Sequence, residues 1–185
     1  MPTRYWADPD HLYFITGTLI KWLNLFTIPD ISQIILDSFT WNRNENRFLL
    51  FAYVIMPSHI HAIIKPLNQR ISESLQAFSS FTAHAIVKKL VEINEMESLE
   101  VMRQEKSDSR SKYSVWQAFH SENIFNEKFL NQKLEYIHSN PVKKDVSLLS
   151  GTDYQYSSAS FYELGKQGMI EVDDNRDYLL KFEMK

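Results

Sequence analysis

Residues 47–65 read RFLLFAYVIMPSHIHAIIK. The stretch holds two apolar runs separated by Pro57-Ser58. Arg47 to Met56 is too continuously apolar to have a solvated face, which predicts a strand covered on both sides. Pro57-Ser58 interrupts it, and His59 to Lys65 predicts a further strand paired with the first. Side chains at i and i+2 of a strand share one face. His59 and His61 therefore stand together, while Ile60 points the opposite way into a core. An otherwise apolar strand thus presents two imidazoles side by side, a two-nitrogen start for a metal site that needs further ligands.

The elements around this pair follow from local pattern. His11 to Ile20 (HLYFITGTLI) is rich in aromatic and β-branched residues and predicts a strand. Pro29-Asp30 opens a helix through Ile31, Ile34, Ile35 and Phe39, and Asn42 to Asn46 reads as a polar turn. Ile71 begins a long helix carrying Leu75, Phe78, Ala85, Ile86 and Leu90 at helical spacing. Met102 to Lys112 (MRQEKSDSRSK) is charged and polar, and predicts a mobile loop. Val115 to Phe119 predicts a short fourth strand. Asn126 to Asn140 predicts a helix that stops at Pro141, because the residue before proline avoids the α region. Gly151 to Ala159 reads as a turn leading into a short helix or irregular tail. The order β-α-β-β-α-β-α predicts an α+β fold, a mostly antiparallel sheet with packed helices in the ferredoxin-like arrangement. Residues 1–150 are expected to form one domain, with 151–185 packed on it or trailing from it.

Composition narrows the chemistry. The chain has 185 residues, enough for one domain with a real core, and 44% of them are hydrophobic. It has no cysteine, which excludes disulfides, thiolate metal sites and cysteine nucleophiles. Net charge is −3, yet acidic and basic residues cancel through Asp145 and the whole excess lies beyond it. A neutral body can still carry a local basic groove for phosphates. No segment has the length and apolarity of a membrane span. Met1 to Asp8 lacks the charged-then-apolar pattern of a signal segment, so a cytoplasmic protein is expected.

The second constellation is Tyr136-Ile137-His138-Ser139-Asn140-Pro141. At about 100° per residue, Phe129, Leu130, Leu134 and Ile137 form one apolar arc. Tyr136 and Asn140, four apart, stand together at its edge, and His138 falls nearly opposite Asn140. Taken alone, Tyr136 reads as a residue capping the core with its hydroxyl wet. Asn140 alone reads as a helix terminus, and His138 as a surface residue or one standing behind the site. Taken with His59 and His61, the pair supplies complementary parts of phosphoryl transfer. Mg²⁺ or Mn²⁺ on His59, His61 and the Asn140 carboxamide would polarise a phosphate, and Tyr136 would attack it.

Met56-Pro57-Ser58-His59-Ile60-His61, Val115-Trp116-Gln117-Ala118-Phe119, Tyr136-Ile137-His138-Ser139-Asn140-Pro141-Val142 and Tyr154-Gln155-Tyr156-Ser157-Ser158-Ala159 together resemble the HUH single-tyrosine transposases, in the REP-associated tyrosine transposase branch. The likeness runs from about the first strand to Tyr162. It implies a Rep-like fold and a transposase that nicks and rejoins single-stranded DNA through a 5′-phosphotyrosine with a free 3′-hydroxyl. It implies a metal role for His59 and His61, a metal or active-site role for Asn140, the nucleophile role for Tyr136, and recognition of a palindromic hairpin. Ser58 departs from the asparagine usual in the family. Lys143-Lys144-Asp145 departs from an arginine, a small residue and a glycine.

Lys143 and Lys144, beside the active helix, are the first expected DNA contacts, followed by Lys65 and Arg70 after the histidine strand and by Trp116 as a base-stacking ring. Lys88, Lys89, Arg103, Lys106, Arg110, Lys112 and Phe119 are weaker candidates, since isolated lysines are commonly solvated and Trp116 also suits the interior of the sheet. His11, His84 and His120 have no evident partner. The expected partner is single-stranded or hairpin DNA, the expected location the cytoplasm in association with the nucleoid, and the expected state a monomer or homodimer. Two other functions fit the same residues: a non-catalytic hairpin-binding protein derived from a transposase, and a metal hydrolase whose histidines activate water.

Overall fold

A computed structural model describes residues 11–105, 111–144 and 148–174. Strand β1 (Leu12–Leu19) is followed by short 3₁₀ turns and helix α1 (Pro29–Asn44). Strands β2 (Phe48–Met56) and β3 (His59–Pro66) form the hairpin, with the break at Pro57-Ser58. Helices α2 (Ile71–Glu92) and α3 (Met96–Gln104), strand β4 (Trp116–Ile124), helix α4 (Glu127–Lys144) and helix α5 (Ala159–Leu164) complete the order. The strands pair in the order β2-β3-β1-β4, antiparallel throughout. This is the expected α+β, ferredoxin-like topology.

Alternation along the strands divides the core in two. Tyr13, Ile15 and Leu19 of β1 and Ile60, Ala62 and Ile64 of β3 face α1, α2 and α3, where they pack on Ile31, Ile35, Phe39, Phe78, Ile86 and Leu99. Leu12 and Phe14 of β1 and Ile63 of β3 face the other way, onto Leu130, Leu134 and Ile137 of α4. β2 feeds both cores by alternation, and a bulge at Phe51, which shifts the pairing with β3 between Leu50 and Ala52, sends Phe51 and Ala52 in succession to the α4 side. With both faces covered, the unbroken apolar run of β2 is the pattern such a strand requires.

Several elements differ from expectation. Helix α1 continues through Asn42, whose carboxamide donates to the Ser38 carbonyl inside the helix at 2.8 Å. Helix α3 was not foreseen. Leu99 and Met102 anchor it in the core, so the first residues of the expected loop are helical through Gln104. Lys106 and Arg110 lie outside the described residues. Strand β4 runs on to Ile124. Its polar sequence hides that, because it is an edge strand with a mostly exposed outer half.

Helix α4 runs through Pro141 to Lys144. Proline removes one helical hydrogen bond, but Pro141 is buried and the turn is held from outside. Gly151 abuts the His138 carbonyl so closely that a Cβ there would lie 2.3 Å from the oxygen. Lys143 and Lys144 then sit at the negative end of the helix dipole.

Residues 148–174 cover the outer edge of β2. The Ile55 amide donates to the Tyr156 carbonyl at 2.9 Å, and the Ser158 amide to the Tyr53 carbonyl at 3.0 Å. Tyr154 and Tyr162 donate their hydroxyls to the carbonyls of Ile55 and Phe51. Asp173 bonds the Leu50 backbone and pairs with Arg43 at 3.1 Å, and Glu171 pairs with Arg43 at 3.0 Å. An edge strand that would otherwise offer free amides is thus closed. Among the described residues no helix is long and apolar enough to cross a membrane.

Ser158 concentrates this docking. Its buried hydroxyl accepts from the Tyr53 amide at 3.0 Å and lies 3.0 Å from His138 Nε2. Ser158→Ala leaves both groups without that partner inside the protein, and the expected loss of stability is about 1–3 kcal/mol, measured by urea unfolding.

Candidate active site

The cleft is built where three elements meet. The β1–β3 register sets Thr16 opposite His61 and Thr18 opposite His59. Phe14, Thr16, His59 and His61 therefore share the sheet face that α4 crosses. The apolar arc of α4 packs on that face and turns Lys133, Tyr136, Asn140 and Lys144 toward the histidines. These residues, with Trp22 from the turn after β1, line an open cleft of about 550 Å³.

Tyr136 stands with its ring centroid 5.1 Å from that of His61 and is 43% exposed. The edge of the Phe14 ring system meets it at 5.9 Å and 79°, and Phe14 also stacks on His61 at 5.3 Å. The phenol is thus fixed by rings on its inner side and open on its outer side. Asn140, one turn on, is buried and lines the same cleft.

Hydroxyls orient both imidazoles. Thr16 Oγ1 lies 2.8 Å from His61 Nδ1, and Ser58 Oγ lies 3.2 Å from His59 Nδ1. When Nδ1–H donates to the hydroxyl, the Nε2 lone pair is left for another partner. His61 Nε2 is buried and has no hydrogen-bond partner. An orphaned nitrogen lone pair beside a second imidazole and a carboxamide fits a divalent cation. Among the described residues no group of three His, Cys, Asp or Glu side chains is placed to hold a metal ion. Such a cation would meet two imidazoles and an amide oxygen, with coordination positions left open.

Burial and charge keep the imidazoles neutral. Burial lowers the His61 pKa to about 3, with His59 and Lys133 adding repulsion. Burial also lowers that of His59, and the Lys144 ammonium adds to it. Neutral imidazole is the form that binds metal. Lys133 lies 4.3 Å from the Phe14 ring centroid and pairs with Glu122 at 2.6 Å. Lys144 thus sets positive charge beside the histidine pair, suited to a phosphate, while the Lys133 charge is shared with Glu122.

The structure brings together His59, His61, Tyr136, Asn140 and Lys144 from the sequence-based set. Lys143 is exposed beside them but outside the lining. Lys65 lies four residues along β3 from His61, about 13 Å of strand, and Arg70 follows at the start of α2. Both sit at the far end of the sheet from the cleft. Trp116 is a correction. It lies on the opposite face, against Phe26 and Phe119, with its indole N–H donated to Thr82 Oγ1 at 3.1 Å. The ring that was expected to stack on a base is thus partly buried and outside the cleft. His138 is buried and not at the surface, its ring 5.0 Å from Tyr162, and it ties α4 to the C-terminal segment. Phe14, Thr16, Trp22 and Lys133 were missed. Lys133, three residues before Tyr136, carried a helical signal. Thr16 and Phe14 needed the strand register, and Trp22 needed its backbone conformation.

No family model matches the sequence, and no curated protein matches it. Among solved structures, the chain is similar to a REP-associated tyrosine transposase bound to a REP hairpin, with a TM-score of 0.63. The likeness covers 94% of each chain at 20% identity. The fold is thus that of a REP-associated tyrosine transposase, the branch that the motifs resemble.

The buried imidazoles make stability depend on pH. Unfolded histidines take up protons below about pH 6.5, whereas His138 does so only near 4 and His61 near 3. The unfolded chain then binds more protons, so stability is full above that range and falls as pH drops through it. The expected slope in chelator-treated protein reaches about 1.4 kcal/mol per pH unit for each imidazole. Urea unfolding between pH 7 and 4 measures it, and a flat profile would contradict neutral burial.

Proposed function

We propose that this chain is a divalent-metal-dependent DNA strand transferase, a single-tyrosine transposase that cuts and rejoins single strands beside a REP-like hairpin. The observation that carries this is Tyr136, anchored by Phe14, half-exposed, and 5.1 Å from the His61 ring. The hairpin bound to the structural neighbour supports the substrate class.

In this reading Lys144 draws the DNA backbone into the cleft, with Lys143 beside it. His59, His61 and the Asn140 carboxamide oxygen would hold Mg²⁺ or Mn²⁺, which when bound supplies charge stabilisation at the phosphate. Tyr136 Oη attacks phosphorus and loses its proton to solvent on the open side of the cleft. The bond from phosphorus to the 3′-oxygen breaks, and that oxygen takes up a proton. The product is a 5′-phosphotyrosine and a free 3′-hydroxyl. The phosphodiester energy is kept in the linkage, so a second 3′-hydroxyl can attack it, rejoin the strand and release Tyr136. Thr16 and Ser58 act by positioning, since each holds an Nδ1 and aims the opposite nitrogen into the cleft.

Incubation with Mn²⁺ and a labelled hairpin oligonucleotide carrying single-stranded flanks is expected to give a covalent adduct on denaturing gels. Tyr136→Phe should abolish it, and His61→Ala should reduce it by at least about 10²-fold. Tight binding with no adduct would identify a non-catalytic hairpin binder instead. Turnover to free products that survives Tyr136→Phe would identify a hydrolase.

A further inference from the structure

Trp22 is the one large apolar side chain of the cleft that the proposed chemistry does not use. It is 57% exposed, lines the cleft, and meets the His59 ring at 5.5 Å and 73°. Its backbone is left-handed, with φ 56°, directly after Lys21 with φ 50°. Bulky residues rarely adopt this conformation, and it persists only where surrounding structure imposes it. Here both sides of the pair are tied. The Leu19 amide donates to the Ser58 carbonyl at 3.0 Å and the Ile20 amide to the Val115 carbonyl at 2.9 Å. The Leu23 amide donates to the Ile20 carbonyl at 3.1 Å, and the Phe26 amide to the Pro57 carbonyl at 3.0 Å. Lys21 pairs with Glu105 at 3.2 Å. The turn after β1 is therefore clamped to the histidine hairpin, and it holds an indole out into the cleft rather than into either core.

We propose that Trp22 is the platform on which an unpaired base next to the scissile phosphate stacks. This rests on the strand-transfer reading above. The ring borders His59 on one wall, while Tyr136 and Lys144 come from α4. A phosphate lodged between the histidines and Tyr136 leaves its neighbouring nucleoside within reach of this wall. Stacking accepts any base, and Lys144 supplies the cation that such a platform combines with to hold a single strand. The strained backbone is the second mark of function, since glycine would fit that conformation better.

The test measures binding by fluorescence anisotropy in a Tyr136→Phe background with Mn²⁺, so that no strand is cut. Two probes are used, one hairpin with a single-stranded flank and one flush-ended. Trp22→Gly is expected to leave the melting temperature unchanged or raised, and to weaken binding of the flanked hairpin about tenfold or more. Binding of the flush hairpin should be unchanged, and Trp22→Phe should restore most of the loss. Equal weakening for both probes, no weakening, or a fall in melting temperature that parallels the loss would overturn the proposal. So would a Trp22→Gly protein that binds both hairpins normally but loses self-association, which would mark a protein contact. Failure of the strand-transfer reading is separately visible, as absence of adduct in the protein with Trp22 and Tyr136 intact.

Discussion

The pairing of β1 with β3 is the constraint on which the cleft depends. It places Thr16 opposite His61, so one hydroxyl settles which imidazole nitrogen is engaged and which is left facing the cleft. A slip of one residue would turn Phe14 and Thr16 to the opposite side and send apolar Tyr13 and Ile15 out of the larger core. The hydrophobic alternation of the two strands therefore specifies the chemistry of the histidine pair as a by-product of specifying the core. The same central position buries the pair enough to hold both imidazoles neutral.

Helix α4 has two duties on neighbouring stripes. Leu130, Leu134 and Ile137 pack it on the sheet, and that packing sets its rotation. Lys133, Tyr136, Asn140 and Lys144 then follow as a second stripe at three- and four-residue intervals, turned to the cleft. Because the packing stripe is rigid, the phenol and carboxamide keep their separation from the histidines. The helix's last turn carries Lys144 and extends past a proline, which is possible because Gly151 and the buried contacts around His138 hold it from behind.

Two acidic residues of the C-terminal region stand away from the cleft. Glu171 and Asp173 are engaged with Arg43 and the Leu50 backbone. Leu50 lies six residues along β2 from Met56, which pairs with His59, about 20 Å of strand away. Lys133 and Lys144, in contrast, line the cleft itself. Placement and not the sum of charges governs what the cleft attracts. The fold likeness persists at 20% identity because topology and two-faced patterning tolerate wide substitution.

The sequence by itself determined the order of the strands and of the helices other than α3, the shared face of His59 and His61, and the adjacency of Tyr136 and Asn140. These are consequences of local periodicity, which needs no knowledge of distant partners. It did not reveal α3, whose short amphipathic pattern is masked by surrounding charge, nor the continuation of α4 through Pro141, which depends on residues packed behind it. Only the tertiary structure decided that Thr16, Phe14 and Trp22 belong to the cleft, that Trp116 lies on the opposite face of the sheet, and that Lys65 and Arg70 lie at its other end. Those outcomes follow from register, from which face of the sheet α4 covers, and from a strained turn. Each is set by contacts between segments far apart in the chain.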